Sequence, residues 1–143
     1  SVVHGDCCFS NILYGVNSKT ETNIVRCIDP RGSFGELGTY GDPLYDTAKL
    51  LHSYEGGYEY IIFDQFRLSE NARLNQFDID FSNNNKDHIK EVFDANSSFD
   101  LRRSRLIQGL IYIGMCSRHY DSETRQTVMY NQGVKFLNEA LNE

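Results

Sequence analysis

Two short polar motifs near the start of the chain, separated by a predicted β-hairpin, constrain the fold more than any other feature. The first is His4-Gly5-Asp6-Cys7-Cys8-Phe9-Ser10-Asn11, and the second is Ile28-Asp29-Pro30-Arg31-Gly32. Apolar runs at 12–14 and 24–28 flank a polar turn at 15–23, which is the pattern of a hairpin. Such a hairpin would bring both motifs to one end of a small sheet.

Three oxygen-bearing side chains, Asp6, Asn11 and Asp29, would then converge at that end. Carboxylate and amide oxygens suit a magnesium ion that is also bound to phosphate groups. Asp6 would orient a hydroxyl group, and Asn11 and Asp29 would hold the metal. The alternatives are a helix or turn cap for Asp6 and simple turn positions for the other two. The spacing of the three residues favours the chemical interpretation.

These motifs resemble those of the aminoglycoside phosphotransferase and choline kinase superfamily, whose members are small-molecule kinases with a protein-kinase-like fold. H-G-D-x-x-x-x-N is similar to the catalytic loop of that superfamily, and I-D-P-R-G is similar to its metal loop. The run Gly41-Asp42-Pro43-Leu44-Tyr45-Asp46-Thr47-Ala48 is similar to the start of the helix behind the catalytic loop. Three motifs in order, over residues 4–50, form a stronger signal than any one alone.

The resemblance implies ATP and Mg²⁺ as cofactors and assigns a role to most of the polar residues in the motifs. Asp6 would be the catalytic base, and Asn11 and Asp29 would be the metal ligands. His4 would brace the loop, and Asp46 would accept hydrogen bonds from the backbone of the catalytic loop. The roles of His4 and Asp46 would be structural support of the site.

Two further residues are candidates for contact with phosphate or substrate. Arg31 follows the metal-loop carboxylate, and a surface ion pair is an equally good interpretation of it. His52 lies near the end of the helix that begins beside the site, where it could line the acceptor pocket. A histidine whose neighbours satisfy it at a helix end is an equally good interpretation.

The expected fold class is α+β and mostly helical. The resemblance implies the C-terminal lobe of a protein-kinase-like fold, with a small catalytic β-hairpin packed on a helical bundle. We expect one domain over 1–143, in which 1–41 carries both loops and the hairpin and 42–143 forms a helical subdomain. Within it we expect helices over 42–54, 58–67, 87–94, 100–119 and from 121 onward, with a loop at 83–85. Residues 1–5 would be a strand. The segment 68–81 is ambiguous between helix and strand, although 77–81 alternates like a strand.

The leading functional hypothesis is an ATP- and Mg²⁺-dependent phosphotransferase that acts on a hydroxyl of a small molecule, with a sugar as one candidate. The alternative is a non-catalytic kinase-like binding module. Only three residues precede the first motif, and the sequence offers no Gly-rich loop or phosphate-binding lysine of an N-terminal lobe. We therefore expect that a missing N-terminal lobe, in the same or a separate chain, is a partner. The chain alone would be inactive and would self-associate through its uncovered surface.

The net charge and the cysteines indicate which other partners and which cellular location to expect. The net charge of −6 argues against a nucleic acid or an anionic membrane as partner, because either needs a basic surface. The basic run at 102–105 is interpreted as a solvated helix face. The four cysteines lack metal-ligand spacing, and two of them are adjacent, so reduced thiols and a cytoplasmic location are expected.

Overall fold

The computed structural model describes residues 1–33, 35–71, 76–81, 89, 91–93, 95 and 100–142. It is an α+β structure, about 52% helical, with two small antiparallel hairpins, which confirms the predicted fold class. The helices are α1 (Leu44–Tyr54), α2 (Tyr58–Ile62), α3 (Leu101–Met115) and α4 (Glu123–Asn142). The strands are β1 (Ile12–Asn17), β2 (Thr22–Cys27), β3 (Phe66–Asn71) and β4 (Gln76–Phe81). Short 3-10 helices lie at Phe9–Asn11, Gly35–Leu37 and Cys116–Arg118.

Helix α1 begins at Leu44, two residues after the start expected for the helix over 42–54, and it ends where the sequence predicts, at Tyr54. The Asp42 carboxylate accepts a hydrogen bond from the backbone N–H of Leu44 at 3.0 Å, which satisfies one of the free donors at the start of the helix. The helix ends at Tyr54, and Gly57 then takes a left-handed backbone conformation with a φ of 70°. This conformation favours glycine, because a Cβ atom would be strained there.

Helix α3 packs against both α1 and α4, and these three helices form the main body of the structure. Helices α3 and α4 meet at a pair of glycines: a Cβ on Gly109 would lie 3.0 Å from the carbonyl oxygen of Gly133. The absence of side chains at this point allows the two backbones to approach closely. The core beside them is apolar and consists of Ile61, Tyr112, Val128, Met129 and Phe136. Among the described helices, none is both long and apolar enough to cross a membrane.

Buried side chains of α3 and α4 bind the carbonyl groups at the end of α1. The Gln108 amide donates to the carbonyl of Leu51 at 3.0 Å, and the Tyr112 hydroxyl donates to that of His52 at 3.0 Å. From α4, Gln132 donates to the carbonyl of Gly56 at 2.8 Å. The Leu51 carbonyl also accepts from the backbone N–H of Glu55 at 2.8 Å. The three side chains therefore join α3 and α4 to the end of α1 and to Gly56 just after it, through buried polar groups that are paired.

Several predicted boundaries are wrong. The helix expected over 58–67 ends at Ile62, and the chain then forms β3, which pairs with β4 from Phe66 opposite Phe81. The strand expected at 77–81 is present as β4. The strand expected over 1–5 is a single bridge between Val2 and Tyr40. The turn expected at 15–23 is shorter, because β1 and β2 extend into it. The loop at 83–85 and much of the helix at 87–94 lie outside the described residues.

The prediction that the hairpin of β1 and β2 packs on the helical bundle is wrong. Every residue of β2 is exposed, and so is most of β1. On one face of this sheet Tyr14 is 67% exposed and its cross-strand partner Val25 is 64% exposed. The hairpin therefore extends away from the bundle and presents apolar side chains on its surface.

The prediction that the basic run at 102–105 is a solvated helix face is wrong, because its arginines make specific contacts. Arg105 forms an ion pair with Glu55 at 3.0 Å, and both side chains are only 19% exposed. Arg103 forms a more exposed ion pair with Asp42 at 3.1 Å. The Arg102 Nε donates to the carbonyl of Ala140 at 2.8 Å. The run therefore joins α3 to both ends of α1 and to the end of α4.

We expect Gly56→Ala to destabilise the protein by about 1–3 kcal/mol, as overpacking typically does. A Cβ at position 56 would collide with the Tyr112 hydroxyl and lie 2.6 Å from the carbonyl oxygen of His52, and neither group can move without breaking their hydrogen bond. Urea unfolding measures the loss. Gly15→Ala is the matched control, because a Cβ there would meet no atom within 4 Å. Equal stability of the two variants would contradict the packing.

Candidate active site

The carboxylate of Asp46 holds the start of the first polar motif. Its Oδ2 accepts a hydrogen bond from the backbone N–H of His4 at 2.8 Å, and its Oδ1 accepts one from Gly5 at 2.8 Å. Gly5 has a φ of 77°, in the left-handed region, so the chain turns sharply at this point. Hydrogen bonds to a charged acceptor are stronger than neutral ones, and two on one carboxylate also fix the orientation of the loop. These are the contacts that the resemblance implies for Asp46.

Lys49, one turn further along α1, binds the side chain of Asp6. The distance from Lys49 Nζ to Asp6 Oδ1 is 2.8 Å. The lysine side chain is only 6% exposed, whereas the Asp6 side chain is 41% exposed. The Lys49 ammonium also lies 5.6 Å from the centre of the Tyr58 ring, which is a favourable position for a cation. Asp6 is therefore held from within the protein and remains accessible from outside.

Ser53 binds the loop one further turn along the same face of α1. Its hydroxyl oxygen accepts a hydrogen bond from the backbone N–H of Phe9 at 3.0 Å, and its hydroxyl donates to Glu59 at 2.8 Å. Ser53 is buried, so the N–H of Phe9 would lose its partner if the hydroxyl were removed. Three polar residues of α1, Asp46, Lys49 and Ser53, thus contact successive parts of the loop at 4–9.

Asn11 binds Asp6 from the other end of the loop. Its Nδ2 donates to the backbone oxygen of Asp6 at 2.9 Å and to the carboxylate Oδ2 at 3.3 Å. Because the NH₂ group makes both bonds, the Oδ1 of the amide is the atom that could bind a metal. His4 lies on the opposite side, where its Nδ1 accepts from the backbone N–H of Asp6 at 3.3 Å. This contact is consistent with a bracing role for His4.

Asp29 lies in a segment that is bonded to the first loop on both sides. The backbone N–H of Ile28 donates to the carbonyl of Asn11 at 2.9 Å, and the N–H of Arg31 donates to the carbonyl of His4 at 2.9 Å. Asp29 is exposed and has a φ of 55°, in the left-handed region. Such a backbone is unfavourable for a residue with a side chain, and it persists only where surrounding contacts fix it.

The donor set of the two loops is compatible with magnesium. Among the described residues there is no group of three or more His, Cys, Asp or Glu side chains that could hold a metal. Magnesium bound to a nucleotide commonly uses only one or two protein carboxylates, and phosphate oxygens and water supply the other ligands. The Asp29 carboxylate and the Asn11 amide oxygen form a set of that kind.

A cavity of about 430 Å³ lies beside Asp6. This volume is within the range of small-molecule binding sites. Neither Asn11 nor Asp29 is among the residues that line this cavity. The wall of the cavity combines polar residues of the loops and of α1 with an apolar stretch of α3 and one residue of the 3-10 helix that follows it. The lining residues are Gly5, Asp6, Arg31, Tyr45, Lys49, Ile107, Leu110, Ile111, Gly114, Met115 and Arg118.

Of the two predicted phosphate or substrate contacts, only Arg31 lies at the cavity. Its guanidinium donates to the hydroxyl of Tyr45 at 3.1 Å, and both residues line the wall. His52 is fully buried instead, with its ring 4.5 Å from that of Tyr58 and 4.1 Å from that of Tyr112. Burial, together with the nearby charge of Lys49, lowers the pKa of His52 well below its usual value. His52 is therefore a neutral core residue, and the prediction that it lines the pocket is corrected.

Cys7, in the first loop, is not set up for nucleophilic chemistry. Burial, followed by the proximity of Cys27 and Asp46, raises the pKa of the Cys7 thiol to about 12. At neutral pH Cys7 is therefore a thiol rather than the reactive thiolate. All four cysteines of the chain are free.

Sequence reasoning missed three residues of this site: Lys49, Ser53 and Arg118. The spacing of the first two was a usable signal, because positions 46, 49 and 53 fall on one face of a helix. Arg118 lies in the 3-10 helix after α3, and only the three-dimensional packing brings it to the cavity.

Comparisons of the chain with protein-family models, with curated proteins and with solved structures gave no match. The superfamily resemblance therefore rests on the motifs at residues 4–50.

We expect Asp46→Asn to destabilise the protein by about 1–3 kcal/mol, because one of the two loop N–H groups would face an NH₂ group instead of an acceptor. Hydrogen exchange at the amides of His4 and Gly5 should become faster, and urea unfolding gives the loss of stability. Asp78→Asn, at an exposed position of β4, removes the same charge and is the control. If the two variants behaved alike, Asp46 would not be what holds the loop.

We expect the neutral, buried His52 to make stability fall at acidic pH. Its folded-state pKa is lowered from 6.5, so below about pH 6.5 the unfolded chain binds a proton that the folded protein does not. Stability should therefore decrease as pH falls from about 6.5 towards 5, by up to about 1.4 kcal/mol per pH unit from this group. Urea unfolding across that range should show a smaller slope for His52→Phe. His119→Gln, which removes a less buried imidazole, should change the slope less. A slope unchanged in His52→Phe would contradict this assignment.

Proposed function

We propose that the chain forms one half of the active site of an ATP- and Mg²⁺-dependent phosphotransferase that acts on a hydroxyl of a small molecule. The observation that carries this proposal is the direct bonding of the two polar loops around Asp6. Asn11 donates to Asp6 from one side, and its own carbonyl accepts from Ile28, the neighbour of Asp29. Asp6 also lines a cavity of small-molecule size. Phosphoryl transfer needs this combination of an acceptor pocket, an orienting carboxylate and metal-binding oxygens.

In this mechanism Asp6 orients the acceptor hydroxyl. Lys49 holds one of its carboxylate oxygens at 2.8 Å, and Asn11 contacts the other at 3.3 Å, so the group has little rotational freedom. Phosphoryl transfer needs little base strength from this carboxylate, because its transition state is loose and the proton leaves the hydroxyl late. Asp6 would therefore act mainly by positioning the hydroxyl and would accept its proton as the reaction completes.

Asp29 and Asn11 would hold the magnesium ion and, through it, the nucleotide phosphates. When bound, Mg·ATP supplies the phosphoryl group and the ion neutralises part of the phosphate charge. The chain's own contribution is the fixed position of the two loops that carry these side chains. The backbone bonds of Ile28 and Arg31 tie the Asp29 segment to the loop that carries Asn11.

We further propose that the fold is the C-terminal lobe of a kinase-like protein and that a second lobe covers the nucleotide. The support is the order of elements, with a loop, a hairpin, a second loop and α1 in succession. The exposed hairpin adds to it, because Tyr14, Val16 and Val25 are each more than half exposed on one face of the β1–β2 sheet. A second lobe, from the same or a separate chain, would cover apolar side chains of this kind.

The alternative is a kinase-like module that binds a partner without catalysis. The ion pair between Lys49 and Asp6 favours this alternative, because it engages the carboxylate that would act on the hydroxyl. The two hypotheses differ in what they require of Asp29. An enzyme needs this carboxylate to bind magnesium with the nucleotide, whereas a binding module does not.

We expect Mg·ATP, but not ATP with EDTA, to shift the amide NMR signals of residues 5–11 and 28–31 when it is added at millimolar concentration. Asp29→Ala should abolish these shifts, because the site loses its one exposed carboxylate ligand. Asn11→Ala should weaken them less, since an amide carries no charge. Asp6→Asn should leave them nearly unchanged, yet it should lower turnover of the complete enzyme by about a hundredfold or more.

The stability of each variant is measured alongside, because Asp6→Asn also removes the partner of a buried lysine. Asp78→Asn controls for the change in net charge. A parent chain without any magnesium-dependent shift would support the binding module over the enzyme. Normal Mg·ATP binding by Asp29→Ala would remove the proposed metal role.

A further inference from the structure

We propose that the cavity beside Asp6 binds an anionic acceptor: a small alcohol that carries a phosphate or carboxylate group and has an apolar face. The inference rests on the proposed function, which makes this cavity the acceptor side of the site. It adds the chemical class of the acceptor, which neither the motifs nor the spacing of the loops can give.

The first argument is the charge of the cavity wall. Three cationic side chains line it, Arg31, Lys49 and Arg118, together with one carboxylate, Asp6. Lys49 and Asp6 neutralise each other at 2.8 Å, so two guanidinium groups determine the net charge of the wall. This local excess of positive charge occurs in a chain whose net charge is −6. A concave wall of one sign raises the local concentration of ligands of the opposite sign.

The second argument is the position and chemistry of the two arginines. Arg31 follows the Asp29 segment, whereas Arg118 lies in the 3-10 helix after α3, so the two reach the cavity from different parts of its wall. Arg118 forms no ion pair with a carboxylate among the described residues. Guanidinium groups bind phosphate and carboxylate through parallel hydrogen bonds, and they keep their charge at any physiological pH.

The third argument is the apolar side of the cavity, which α3 provides. Ile107, Leu110, Ile111 and Met115 line it, and Leu110 is 58% exposed. A ligand with a C–H face, such as a sugar ring or a short carbon chain, would cover this surface and gain from its burial. Gly114 lies in the same wall, and a Cβ there would meet no atom within 4 Å. The cavity therefore combines an anion-binding part with an apolar part, and it disfavours cationic acceptors such as choline and aminoglycosides.

Equilibrium binding to the chain, without nucleotide or metal, tests the proposal. The two anionic probes are glucose 6-phosphate and gluconate, and glucose, choline and inorganic phosphate are the comparison ligands. Binding of each is followed by isothermal calorimetry and by the NMR signals of Gly114 and of the arginine Nε–H groups. At least one of the two anionic probes should bind about tenfold or more tightly than glucose, because charge-assisted bonds to arginine are added. The comparison of phosphate with carboxylate identifies which anion the site prefers. Choline should not bind.

Three variants locate the binding. Arg118→Gln should weaken anion binding about tenfold or more, whereas Arg26→Gln, which removes the same charge from exposed β2, should not. Gly114→Leu should keep the fold, since the helix tolerates leucine well, and should block binding by filling the cavity. Equal effects of Arg118→Gln and Arg26→Gln would overturn the proposal. So would unchanged binding in Gly114→Leu.

The probes also separate this proposal from the proposed function. Glucose that bound as tightly as both anionic probes would overturn the anionic acceptor, and so would inorganic phosphate that bound as tightly as glucose 6-phosphate. Because metal and nucleotide are absent from these titrations, either result would leave the magnesium site at Asp29 standing. Conversely, selective anion binding in a chain that shows no magnesium-dependent ATP binding would support the anion-binding cavity and favour the binding module over the phosphotransferase.

Discussion

The candidate site depends on one face of α1. Asp46, Lys49 and Ser53 lie on this face and contact the loop at 4–9 in the order in which both run along the chain. Each contact has a buried or charged partner, so none can be replaced by water without loss. The loop has little regular structure of its own, and its shape follows from a rigid helix beside it. This is an effective way to fix polar side chains, because helices are stiffer than loops.

The rigidity of α1 depends in turn on the rest of the bundle. Two carbonyl groups in its last turn accept hydrogen bonds from Gln108 and Tyr112 of α3, and the carbonyl of Gly56, just after the helix, accepts one from Gln132 of α4. The Glu55–Arg105 ion pair adds a further link between α1 and α3. Buried polar networks of this kind specify one arrangement of helices, because any shift leaves a donor or acceptor unpaired. The site is therefore positioned by polar contacts as well as by apolar packing.

Local signals in the sequence were sufficient for α1 and for the long helices. Asp42-Pro43 and Asp100 predict helix starts, and the alternation at 77–81 predicts β4. Strand β3 was not predictable in this way, because its apolar residues, Phe66 and Leu68, fit a short helix as well as a strand. Its pairing with β4 decides the conformation, and pairing is a long-range contact that a local pattern does not contain. The exposure of β1 and β2 was also missed. Apolar strands are usually covered by other parts of a protein, and whether they are covered is again a long-range property that a local pattern does not contain.

The site shows the same division between local and long-range information. The contacts of Asp46 follow from a motif, whereas the burial of His52 follows from geometry. A separation of six residues turns a helix by about 240° beyond one full turn, so His52 lies about 120° away from Asp46 around the axis of α1. Once Asp46 faces the loop, His52 faces the bundle. Lys49 is about 60° away, near the loop, and the same argument would have identified it from the sequence.

The ion pair between Lys49 and Asp6 links the stability of the fold to the chemistry of the site. Lys49 is almost fully buried, and a buried ammonium is strongly unfavourable unless a negative group binds it. Asp6 is the partially exposed member, so it can still contact a ligand while it stabilises the lysine. The pair also affects the net charge of the cavity wall, because the positive charge of Lys49 and the negative charge of Asp6 cancel each other. Arg31 and Arg118 are the other charged residues of the cavity wall, and under the proposed function they rather than Asp6 would select the acceptor.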